Sequence, residues 1–114
     1  MAETFNTADL AVTSSETLLY TAPASAGDVA IILSLRVTNI DGSTADDVTC
    51  TVYENDGTTK KAEIAHTITV PADSSLELAG KSKIVLLAGE QVKIQGVAAS
   101  GDLEAYLSAL EITA

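Results

Sequence analysis

Val, Ile, Leu and Thr recur at every second position in short runs along this chain, and Gly, Pro, Asn and Asp cluster between the runs. A period of two sends alternate side chains to opposite sides of an extended backbone, so the pattern predicts strands with one buried face. In residues 29–40, Ile31, Leu33, Leu35 and Val37 share one face and Ser34, Arg36 and Thr38 the other, and Asp41-Gly42 ends the run as a turn. In residues 47–53, Val48, Cys50 and Val52 point inward and Thr49, Thr51 and Tyr53 outward. Asn55-Asp56-Gly57 follows as a hairpin signal, because these residues accept the positive φ of tight turns. Residues 62–70 place Ala62, Ile64, His66, Ile68 and Val70 on one face, until Pro71 removes a backbone donor and closes the strand.

Shorter alternating segments cover residues 16–22, 74–78, 83–87 and 91–98. The last run, 103–112, alternates Leu103, Ala105 and Leu107 with Glu104, Tyr106 and Ser108, then brings Leu110 and Ile112 onto the second face. That strand is expected to be covered on both faces or to bulge near Ser108. The sum is about eight strands at regular spacing, an all-β fold. An antiparallel β-sandwich is predicted, either jelly-roll or immunoglobulin-like, in a single domain spanning 1–114. Residues 1–8 show no alternation and are expected to form a flexible arm. Tyr20-Thr21-Ala22-Pro23-Ala24-Ser25 and Ile68-Thr69-Val70-Pro71-Ala72-Asp73 echo one another, and read as two similar strand exits rather than a duplication.

Composition narrows the classes of function. The 114 residues hold 16 Asp plus Glu against 6 Lys plus Arg, a formal charge of −10. Such a surface opposes binding to nucleic acid or to anionic membranes, so neither is expected as a partner. No run approaches the ~20 apolar residues of a spanning helix, and the opening residues lack the basic-then-apolar pattern of a signal peptide. A single cysteine, Cys50, fits folding in a reducing compartment. A chain of this length buries roughly two thirds of its unfolded surface, enough for one core without metal or disulfide support.

Candidate chemistry is sparse. His66, the one histidine, lies in mid-strand and reads as a packed or interface residue rather than a catalyst. Cys50 alternates with Val48 and Val52 and reads as a small buried hydrophobe. The loop 41–47 offers Asp41, Asp46 and Asp47 as oxygen ligands for calcium, but it lacks the downstream bidentate Glu and the flanking helices of the helix–loop–helix pattern. A solvated turn is the plainer reading, and whether calcium binds there is left open by the residues. Asp56 near Glu54 is a weaker candidate still. The bases Arg36, Lys60, Lys61, Lys81, Lys83 and Lys93 begin only at position 36, leaving the first third purely acidic; this is read mainly as polar strand surface, and otherwise as an orienting asymmetry. There is no Gly-rich phosphate cradle, no zinc spacing and no Trp for stacking sugars. No cofactor, no metal and no enzymatic activity are expected.

Four segments carry a resemblance: Tyr20-Thr21-Ala22-Pro23-Ala24; Leu33-Ser34-Leu35-Arg36-Val37-Thr38-Asn39; Thr69-Val70-Pro71-Ala72-Asp73-Ser74-Ser75-Leu76-Glu77-Leu78; and Val85-Leu86-Leu87-Ala88-Gly89-Glu90. Over roughly residues 18–113 they resemble small virion proteins of tailed bacteriophages. In that group a TVPA exit follows the first strand, a later strand ends in Asn, a VPA-x-SSLEL segment follows, and an L-x-AG-[DE] turn precedes the last two strands. Ala22 stands where that pattern more often has Val, and Glu90 where it has Asp.

The resemblance implies a virion structural protein, serving in capsid decoration or in the neck or tail; the first expectation is a capsid decoration (cement) protein that binds the major capsid protein and stabilises the head, located in the virion after assembly in the bacterial cytoplasm. Its alternatives are a neck, tail or fibre-associated subunit, and a receptor- or glycan-binding module on the virion. A homo-oligomer is expected, with a trimer favoured. The residues expected at contacts are Phe5 and Leu10, in an arm that orders on binding, and Tyr106, Leu110 and Ile112, where the last strand is two-sided.

Overall fold

The computed structural model describes residues 1–80, 82–98 and 102–114; Lys81, counted above among the polar-face bases, lies outside them. Among the described residues there is no helix, and nine strands form two antiparallel sheets packed as a β-sandwich. They are β1 (Ala2–Val12), β2 (Thr17–Thr21), β3 (Val29–Asn39), β4 (Asp46–Tyr53), β5 (Lys60–Val70), β6 (Ser75–Glu77), β7 (Ile84–Leu87), β8 (Gln91–Gln95) and β9 (Leu103–Thr113). All eight strands expected from the alternation are present, and β1 is the addition.

One sheet runs β1-β9-β3-β6, with β7 also on β3, and the other runs β2-β8-β4-β5. First pairs with last, second with next to last, and so inward to the β4–β5 hairpin. This is a long hairpin rolled up, the connectivity of a jelly roll, and it decides against the immunoglobulin-like alternative. Strands β6 and β7 together occupy one of its eight positions. Where their ladder breaks, the Glu77 carboxylate fills in, accepting the Leu35 N–H at 2.7 Å and the Ala79 N–H at 3.1 Å.

The core lies between the sheets. Leu103, Ala105, Leu107 and Ala109 of β9 meet Val48 and Cys50 of β4 and Val92 and Ile94 of β8, all at 2% exposure or less. Two bulges correct the predicted faces. In β3, Ile32 opposes Ala109 but Ser34 opposes Ser108, so Leu33 is an extra residue. One inserted residue reverses the alternation: Ala30 and Ile32 point inward before it, Leu35 and Val37 after it. The irregularity expected in the last strand near Ser108 therefore sits in its neighbour. In β5, Val48 opposes Ile68 and Cys50 opposes Ala65, three residues against two. Thr67, at φ 46°, marks the spot, and Ala65 becomes the buried residue while His66 turns outward.

The expected arm is corrected too. Residues 2–12 pair with β9 without a register shift, from Ala2 opposite Thr113 to Val12 opposite Leu103. Residues 2–7 are exposed on both faces. With neither face buried, nothing selected for alternation. Leu10, expected in that arm, instead packs against the core.

Asn39 ends β3 fully buried and satisfied. Its amide donates to the Thr44 and Val70 carbonyls at 3.0 and 3.1 Å, and its side-chain oxygen accepts the Asp41 N–H at 3.0 Å. The turn after Pro71 docks beside it through Asn39 N–H to Ser74 O and Asp73 N–H to Asp41 O, with Asp73 at φ 57°. Two of the segments that carry the virion resemblance thus meet in one structural knot.

Candidate functional site

The register of the first sheet assembles an apolar surface that no single segment shows. Directly opposed residues share a face, and one row across four strands reads Phe5, Leu110, Ile31, Val85. The next reads Glu3, Ile112, Val29, Leu87. Seven of these eight side chains are apolar and point away from the core. Phe5 is 75% exposed, Val85 54% and Leu87 53%, and the other four apolar residues are half-buried. Further along the same face the rows turn polar, through Thr7 and Ser108 to Asp9, Tyr106 and Arg36. A contiguous apolar terrace on one end of an outer sheet face is the kind of surface that marks association.

The terrace stands on a firm support. On the opposite face of β9, Glu111 accepts a hydrogen bond from the Tyr20 hydroxyl of β2 and another from the Asn6 amide at 3.2 Å. Burial, reinforced by that hydrogen bond and the carboxylate charge, drives the Tyr20 hydroxyl pKa well above its ordinary value, so it remains a donor. Asp28, buried at the start of β3, accepts the Ser25 N–H at 3.1 Å and the Ala114 N–H at 3.0 Å, fixing the end of β9.

The outer face of the second sheet contrasts with it. Lys93, Thr51 and Glu63 form one row, and Gln91, Tyr53 and Lys60 another. The Lys93 ammonium lies 4.5 Å from the Tyr53 ring centroid and donates to Gly57 O at 2.7 Å, and the Tyr53 hydroxyl donates to Glu16 at 2.8 Å. Leu18, 46% exposed, is the apolar exception there.

Of the residues expected at contacts, Phe5, Leu110 and Ile112 lie in the terrace. Tyr106 is on the same face, 51% exposed but two rows away, and Leu10 points inward. Tyr106 instead borders a shallow depression of about 250 Å³ with Asp9 and Glu104, smaller than the ~300 Å³ at which ligand pockets begin. Val29, Ile31, Val85 and Leu87 escaped sequence reasoning because only the pairing of distant strands makes them neighbours.

The remaining candidates are occupied by local structure. His66 is exposed and its Nδ1 lies 2.8 Å from Glu63, which also pairs with Lys60 at 3.3 Å. Those two partners, His66 first, hold the Glu63 carboxyl below its usual range. Burial pushes the Cys50 thiol up to about 12, leaving it inert. Asp41 accepts the Ser43 and Thr44 N–H groups at 2.8 and 3.1 Å, which lower its pKa. Asp46 accepts from Asp47 and Val97 N–H, and Asp47 from the Thr69 hydroxyl. The three aspartates are thus engaged separately, and among the described residues no cluster of three metal-ligating side chains is found.

The chain matches no protein-family model and no curated protein sequence. Two solved structures share its fold. One is of Bacillus endospore appendages, which form a family of disulfide-linked pili; it superposes with a TM-score of 0.59 over 98% of this chain and 87% of that one, at 19% identity. The other is a chain of infectious bursal disease virus, Gx strain, with a TM-score of 0.53 at 12% identity. This chain matches over 98% of its length but spans 30% of the viral one. At such identities the likeness is one of fold: a β-sandwich that recurs in a pilus and in a virus.

Proposed function

We propose that this chain is a structural, non-enzymatic virion subunit, a decoration protein that covers the phage capsid and binds the major capsid protein. The observation that carries the reading is the terrace: an apolar patch on a sheet, beside the edge strand β1. Each copy buries a modest apolar area against the shell, and repetition over the lattice multiplies the effect. The acidic remainder of the surface keeps the particle soluble. The sequence resemblance to tailed-phage virion proteins supports the same reading, and so does the recurrence of the fold in a pilus and a virus. A disulfide-linked fibre is disfavoured, since the one cysteine of this chain is buried.

The test is the ratio of this chain to the major capsid protein in purified particles, by quantitative mass spectrometry. A ratio near one to one is the expected result. A few copies per hundred would move the subunit to the neck or tail, and absence from the particle would overturn the structural reading. The groove of Asp9, Glu104 and Tyr106 keeps a glycan-binding role as a second reading, to be judged by binding to cell-surface sugars.

A further inference from the structure

Among the described residues β1 is an edge strand, bonded to β9 on one side and to no strand on the other. Its 11 residues pair with β9 in an unbroken register and contain no Lys, Arg or Pro, so of the usual devices that prevent strand addition the edge carries only the carboxylates of Glu3 and Asp9. Residues 2–7 stand clear on both faces, and among the described residues no strand covers their open side.

We infer that β1 pairs antiparallel with β1 of a second copy, about a two-fold axis at Phe5. Any such pairing must keep outward residues beside outward residues, and this limits the registers. Centring on Phe5 sets the two Phe5 rings opposite each other, Glu3 opposite Thr7, Thr4 opposite Asn6 and Ala2 opposite Ala8. No acid faces an acid, and the aromatic pair is a favoured cross-strand contact. Centring one residue further on, at Asn6, would oppose Glu3 to Asp9 twice, and centring at Thr4 would oppose Glu3 to Phe5. The Phe5 register also joins the apolar row of one copy to that of the other, doubling the terrace across the axis. The inference goes beyond the proposed function, and it gives the expected homo-oligomer two-fold rather than three-fold symmetry. Pairing one edge with the same edge of a second copy is isologous and closes at two copies.

The test is sedimentation velocity of the full chain over a wide concentration range. A monomer–dimer equilibrium is expected, strengthening with added salt as repulsion between two chains of charge −10 is screened. Phe5→Asp should remain monomeric with an unchanged circular dichroism spectrum, since position 5 is outside the core. Under mild oxidation Phe5→Cys should cross-link to a dimer, and Thr7→Cys should not. A monomer at every concentration, a trimer, or cross-linking at Thr7→Cys but not at Phe5→Cys would overturn the inference. None of those results would alter the particle stoichiometry, so the capsid reading stands or falls separately.

Discussion

Two of the sheet edges, β1 and β5, are handled in opposite ways. β5 carries register shifts after Val48, after Cys50 and after Val52 of its partner, presents Lys60, Lys61, Glu63 and His66 along its length, and holds Thr67 in a left-handed conformation. Bulges and charges of that kind make an edge a poor template for another strand. β1 is long, regular and bordered by apolar side chains. The difference shows that regularity is not simply what a jelly roll leaves at its margins: one edge is blunted, and the other is left able to pair. It extends to the faces, polar above β4 and β8 and apolar above β9 and β3.

The strongest way to probe that contrast uses one strand. Leu107 and Leu110 both belong to β9, but Leu107 is fully buried and Leu110 lies in the terrace. Leu107→Ala should cost ~2–5 kcal/mol, read from urea unfolding, by lost transfer energy and a residual cavity. Leu110→Asp should leave the monomer folded and remove particle binding. If Leu110→Asp unfolds the isolated chain, that residue is core and the terrace is not a contact surface.

Thr67 tests the blunted edge. A β-branched residue at φ 46° is strained, by ~1–3 kcal/mol. Thr67→Gly relieves the strain at some cost in chain entropy, so a net gain of about 1 kcal/mol is expected in thermal or urea unfolding. The backbone bond from Thr67 N–H to the Thr49 hydroxyl, 3.0 Å, survives the change. A loss of stability in the glycine variant would mean that the threonine conformation is not strained.

These sites also mark where sequence reasoning reached its limit. The alternating strands were legible because most of them bury one face in the core and leave the other at the surface. β1 was not, since Ala2, Thr4 and Asn6 on one side and Glu3 and Thr7 on the other all face solvent at its free end. The bulges at Leu33 and Thr67 were invisible because a single added residue changes phase without changing composition. Phe5, Leu110 and Ile112 could be singled out as apolar residues in places the alternation did not explain. Their association with Val29 and Val85 depends on pairings between segments more than 50 residues apart in some cases, such as Val85 with Ile31, which no local pattern encodes.

Acid separates the two edges in a last, smaller effect. In the hairpin that leads into β5, Asp56 accepts the Thr58 and Thr59 N–H groups and the Thr59 hydroxyl, at 2.9, 2.9 and 2.6 Å. The Thr59 bonds are the main cause of a carboxyl pKa lowered from 3.8 to about 2. A carboxyl lowered on folding stabilises the native state above its unfolded pKa, and the contribution fades as pH falls through the folded value. The hairpin should therefore lose stability between about pH 4 and pH 2, and Asp41 and Glu63, also lowered, act in the same sense. Asp56→Asn keeps an acceptor but cannot titrate, so its melting temperature should fall less steeply over that interval than that of the parent chain. Protonation meanwhile removes negative charge and weakens repulsion between copies, so pairing through β1 should tighten over the first part of the same descent. Melting and sedimentation measured side by side at each pH should move in opposite directions, and parallel loss of both would mean that β1 pairing depends on the hairpin half of the molecule.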